Sequence, residues 1–134
     1  MARKIFVNLP VKNLKRSVDF FTALGFSFDQ QFTDENATCM IINDDAFAML
    51  LVEDFFKGFT KKEICDASTH TEAIVALSAD TRSEVDSLVD SALVAGASAA
   101  NEPMEESGVY VRSFHDPDGH LWEVVHMDMS AQQA

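Results

Sequence analysis

Basic residues are scarce in this chain: ten Lys and Arg stand against twenty-two Asp and Glu, for a formal charge of -12. Such a surface repels phosphate backbones and anionic lipid, which argues against nucleic acid as a partner. Only two cysteines are present. Cys39 and Cys65 lack C-x-x-C spacing and a secretory context, so reduced thiols are expected rather than a disulfide or a zinc site. No apolar run approaches the eighteen or so residues of a membrane span, and "MARKIFVNLPV" alternates like a strand instead of forming a secretory h-region. A soluble, cytoplasmic protein is the expectation.

What is present is enough for one core: 134 residues, 47% of them hydrophobic. Residues 4–11, "KIFVNLPV", alternate Ile5, Val7, Leu9 and Val11 against Phe6, Asn8 and Pro10, the pattern of a strand with one apolar and one mixed face. Asn13 is placed to cap a helix carrying Leu14, Val18, Phe21 and Leu24, which Gly25 ends. Strands are expected near 26–32, 37–43 and 46–52. "TEAIVALSAD" then repeats the opening strand. Thr81-Arg-Ser-Glu84 forms a capping box before a helix with Val85, Leu88, Val89, Ala92 and Leu93 on one side, ending before Gly96. Strands near 98–103, 108–115 and 120–128 complete the series. The chain 1–134 therefore predicts a single α+β domain of two tandem βαβββ modules, about 4–52 and 72–128, whose sheet faces build a shared concave cavity. The connector, 53–71, holds Phe55, Phe56 and Phe59, and Thr60-Lys-Lys-Glu63 as a further capping box. It is either a lid or a segment docked on the core or on a partner subunit.

"LPVKNLKRSVDFFTALGF" resembles the opening of the vicinal oxygen chelate superfamily, which includes glyoxalase I, bleomycin-resistance proteins and extradiol dioxygenases, and "DPDGHLWEV" resembles its closing signature. Within it, "FVNLPVKNL", "FTDENATCMII", "FFKGFTKKEI" and "DPDGHLWE" are similar to the group labelled predicted lactoylglutathione lyases. The resemblance implies a glyoxalase-like open barrel and, for the short members, a homodimer. It also implies metal ligands on the first and fourth strands of each module. Those positions fall at Phe6, at Ile74, at Leu50 or an apolar neighbour if the register slips by one, and at Glu123. Three are hydrocarbon, while a catalytic divalent ion needs about three N, O or S donors. No metal cofactor is expected, the alternative being a divalent ion held through Glu123.

Histidines do not obviously repair the set. On the strand after Asp116-Pro117-Asp118-Gly119, alternation places His120, Trp122 and His126 opposite Glu123; His115 and His70 are left undecided. Trp122 is expected in the core. Tyr110, Arg112 and Phe114 share one face, and the sequence leaves open which. Turned inward, they would line a small-molecule site with Phe6, Asn8, Leu50, Ile74 and Glu123, where Arg112 either anchors an anion or simply forms a partly buried ion pair with Glu123. The expected function is small-molecule binding with a degenerate metal site. The alternative is a lyase-like or other metal-dependent enzyme with Glu123 as catalytic proton-transfer base.

Overall fold

A computed structural model describes residues 3–128, and the chain divides into two compact units that meet in sequence between Cys65 and Asp66. In the first, β1 (Ile5–Val11) leads through α1 (Leu14–Ala23) to β2 (Ser27–Asp29), β3 (Ala37–Ile41) and β4 (Ala46–Val52). The sheet order is β1-β4-β3-β2, with β1 and β4 parallel and the other pairs antiparallel. Asn13 caps α1 as its position predicts, accepting the Arg16 N–H at 3.0 Å. The helix ends at Leu24, and Gly25 follows at φ 100°, a conformation that costs glycine little. Ser17, Phe20 and Phe21 of α1 are buried together with Leu9, Val11, Met40, Ala48 and Leu50, which share one face of the sheet.

After β4 comes a short helix, α2 (Glu53–Phe56), and a 3-10 turn, Lys57–Phe59. No helix starts at Thr60. Its Oγ1 accepts the Lys62 N–H at 3.1 Å in a local turn, because "EICDASTH" carries no periodic apolar face to bury.

The second unit runs β5 (Ile74–Ser78), α3 (Arg82–Ala95), β6 (Ser98–Ala99), β7 (Met104–Glu106), β8 (Val109–His115) and β9 (Leu121–Met127). Its order is β5-β9-β8-β6, with β7 also on β8 and β5 parallel to β9. The expected strand at 98–103 is thus two short pieces around "ANEP", where Pro103 has no N–H to offer. Thr81 accepts the Glu84 N–H at 3.1 Å, and the Glu84 carboxylate returns to the Asp80 N–H at 3.0 Å, so this capping box forms one residue out from its ideal pattern. Val85, Val89 and Ala92 of α3 are buried with Phe114, Trp122 and Val124. Among the described residues no helix is long and apolar enough to cross a membrane.

Candidate functional site

Each sheet has one face occupied by its helix and one turned away from it, and strand register decides which residue lies where. In the first unit Phe6 pairs with Phe47, Asn8 with Met49 and Pro10 with Leu51, so these six share the face away from α1. Leu50 does not join them. It stands beside Leu9, 1% exposed, on the α1 side, and its neighbours Met49 and Leu51 occupy the expected site face instead. The reason lies in "AFAMLLV", a run apolar on both faces that carries no alternation to read. Phe6 is 51% exposed and stacks on Phe47 at 4.9 Å, with interplanar angle 12°. The Asn8 amide donates to the Phe6 carbonyl at 3.3 Å.

In the second unit Ala76 and Ser113 flank Glu123 on either side, and Ile74 and His115 flank Leu121. Glu123, Ser113, His115 and Ile74 therefore share the face away from α3. Glu123 is half-buried and, among the described residues, has no hydrogen-bond or ion-pair partner. Ser113 is buried, and its Oγ accepts the Asn101 N–H at 2.9 Å, leaving its own proton to donate.

Tyr110, Arg112 and Phe114 are on the opposite side. Arg112 is level with Val124 and Phe114 with Trp122, so these three residues lie under α3 and leave the Glu123 face without them. Arg112 reaches Asp86 Oδ1 at 3.1 Å and Asp90 Oδ1 at 2.9 Å, and the Tyr110 hydroxyl donates to Asp86 at 2.6 Å. The Tyr110 hydrogen bond, and behind it Arg112, hold the Asp86 carboxyl below its ordinary range; the same bond pushes the Tyr110 phenol up. Arg82 lies 4.1 Å from the Tyr110 ring centre and pairs with Glu105. No Arg112–Glu123 pair forms, because a strand sends adjacent parities to opposite faces.

The histidines separate as strand parity demands. His126 lies on the α3 side with Nδ1 3.2 Å from the Ala79 carbonyl oxygen, while His70 contacts Thr69 at 2.7 Å in the connector. His120 is in the turn before β9, a turn organised by Asp116. That buried carboxylate accepts the Asp118 N–H at 2.9 Å, the His120 N–H at 3.0 Å and the Trp122 indole N–H at 3.0 Å. Burial pushes the Asp116 carboxyl up, against His120 and the N–H donors that favour its charged form. Gly119 closes the turn onto the Asp116 carbonyl at 2.9 Å; at φ 96° a Cβ there would stand 2.5 Å from the Ala67 carbonyl oxygen.

In neither unit do the family's ligand positions by themselves supply the three or so donors of a divalent-metal site. Phe6, Leu51 and Ile74 are hydrocarbon, Met49 offers only a thioether, and the one hard donor at a ligand position is Glu123. Among the described residues no three His, Cys, Asp or Glu side chains converge. His115, and Glu106 toward the β7 edge, are further donors on the Glu123 face that strand parity reveals; Asp116 N–H bonding to the His120 carbonyl at 3.0 Å sets that parity.

Two βαβββ modules with helix-covered sheets define the class of fold. The pattern of the Glyoxalase/Bleomycin resistance protein/Dioxygenase superfamily matches residues 5–124, and the chain belongs to that superfamily. No curated protein matches it. A solved hypothetical protein from S. aureus is similar at 26% identity, covering 94% of each chain with TM-score 0.79. A glyoxalase/bleomycin resistance protein/dioxygenase family enzyme from Burkholderia phytofirmans PsJN has 16% identity, covering 95% of this chain and 100% of that one, with TM-score 0.78. The fosfomycin resistance protein FosX from Listeria monocytogenes has 15% identity over 98% of each chain, with TM-score 0.68. At the last two identities the likeness is one of fold.

Proposed function

We propose that this chain is a small-molecule-binding protein of the glyoxalase and bleomycin-resistance type, with its ligand on the Glu123 face of the second module. The observation that carries this reading is the makeup of the family's ligand positions: Phe6, Ile74 and Met49 or Leu51, beside a single carboxylate at Glu123. Glu123 then serves as a hydrogen-bond acceptor for the ligand. Purified without chelators, the protein is expected to hold no stoichiometric zinc, nickel, iron or manganese, and thermal-shift screening is expected to find small organic stabilisers. Elemental analysis near one metal per chain, lost in Glu123→Gln, would defeat this reading. It would support the second one, a lactoylglutathione-lyase-like or other metal-dependent enzyme. His115 on the Glu123 face favours that second reading, since glyoxalase chemistry needs a Lewis acid for its enediolate and two donors are the start of a site.

We also propose that the chain works as a two-fold homodimer in the cytoplasm. Ile5, Phe6, Phe59 and Ile74 are 51–71% exposed, more apolar surface than a monomer gains by showing. Phe55 and Phe59, ring centres 5.2 Å apart, form the apolar part of the connector. Light scattering at micromolar concentration is expected to give the dimer mass; a monomer would contradict it.

A further inference from the structure

From Asp66 onward the chain has two Lys or Arg residues, Arg82 and Arg112, and both are engaged. Arg112 is held between Asp86 and Asp90 on the α3 side, and Arg82 by Glu105 over the Tyr110 ring. By strand register the other face of the sheet carries no Lys or Arg; its formal charges are Glu123, in the middle, and Glu106, toward the β7 edge. Glu123 is half-buried between Ala76 and Ser113, with Leu121 and Val125 before and after it on the same face, and it has no partner among the described residues. A carboxylate partly withdrawn from water with no compensating charge favours a cation beside it, and this face offers an anion no Lys or Arg. The -12 charge of the chain adds a long-range field of the same sign.

We propose that the Glu123 face binds an organic cation: a protonated amine on an apolar body, the ammonium on the Glu123 carboxylate and the body over half-buried Val125 and exposed Ile74. Ser113 and His115, across β8 from Glu123 and Leu121, supply hydrogen bonds to polar groups of the same ligand. This rests on the small-molecule reading above and specifies the charge of the ligand.

The test is an NMR titration of isotope-labelled protein with three probes of one size and shape: benzylamine, benzyl alcohol and benzoate. Benzylamine is expected to shift the amides of 111–115 and 121–125 and to bind at least tenfold more tightly than the other two. Glu123→Gln removes that preference while leaving the spectrum of a folded protein, and Arg112→Met, on the far face, keeps it. Benzoate or benzyl alcohol binding these strands as tightly as the amine would overturn the proposal and leave the small-molecule reading intact. Benzylamine binding undiminished in Glu123→Gln, or no binding of benzylamine to these strands, would overturn it too. The small-molecule reading fails separately, if a broad screen of neutral, anionic and cationic metabolites yields no ligand.

Discussion

In the first module α1 lies on its sheet through Phe20, Phe21 and Ser17 against Leu9, Val11, Met40 and Leu50, an interior without a charged group. In the second, Val85, Val89 and Ala92 of α3 do the same against Trp122 and Val124, and a rim of charge is added: Asp86 and Asp90 hold Arg112, and Asp86 holds Tyr110. The faces away from the helices differ in the same sense. The first module shows Phe6 stacked on Phe47, while the second shows Glu123 beside Ser113 and His115. One topology, used twice, thus keeps its ionisable site chemistry in the second module and presents an aromatic surface in the first. The difference teaches that sheet parity, more than composition, decides which charged residue is structural and which is available.

The largest expected effects test the assignment of faces. Trp122→Ala should cost about 3–5 kcal/mol and Leu50→Ala about 2–5 kcal/mol in urea unfolding, since both side chains are fully packed under a helix. Phe6→Ala and Ile74→Ala, more than half exposed, should cost less than about 1.5 kcal/mol. Were Leu50→Ala as mild as Phe6→Ala, the register of β4 would be wrong.

Next in size is Asp116→Asn. The amide replaces one acceptor by a donor that faces either the Trp122 indole N–H or the two backbone N–H groups, an expected loss of about 1–3 kcal/mol. A shift in the emission of Trp122, the sole tryptophan, should accompany it. Unfolding that matches wild type would remove Asp116 as the organiser of the turn.

A smaller effect separates the rim of α3 by pH. The Asp86 carboxyl is held below its ordinary value, so its contribution is present above an unfolded pKa of about 3.9 and is lost as pH falls through the lower folded value. Tyr110 mirrors it: its phenol is raised, so its contribution is present below about pH 10 and lost as pH rises through the folded value. Asp86→Asn should flatten the acid-side loss of stability in urea midpoints taken from pH 2 to 6. An unchanged acid profile would show that the rim contributes nothing.

Much of this fold was legible in the residues. Asn13, Gly25, Thr81 and Glu84 mark helix ends by chemistry that works locally, and β4 falls on 46–52 because polar "NDD" precedes it. The site was harder to read for two physical reasons. "AFAMLLV" is apolar at both parities, so Leu50 could not be told from Met49 or Leu51. "VYVRSFH" is likewise mixed at both parities, so Arg112 had no face until it was paired with β9. The turn held the missing signal: with Asp116 bonded to His120, odd residues of β8 join odd residues of β9, which sets His115 and Ser113 with Glu123 and sends Arg112 to α3. Asp86 and Asp90, four apart on α3, could have been noticed as its partners.

The most direct test of this division is a double-mutant cycle on Arg112→Met and Glu123→Gln. Lying on opposite faces of one sheet with no shared partner, the two are expected to add within about 0.5 kcal/mol, whereas Arg112→Met and Asp86→Asn should couple by about 1 kcal/mol. A coupling of about 1 kcal/mol or more between Arg112 and Glu123 would place them together and contradict the account.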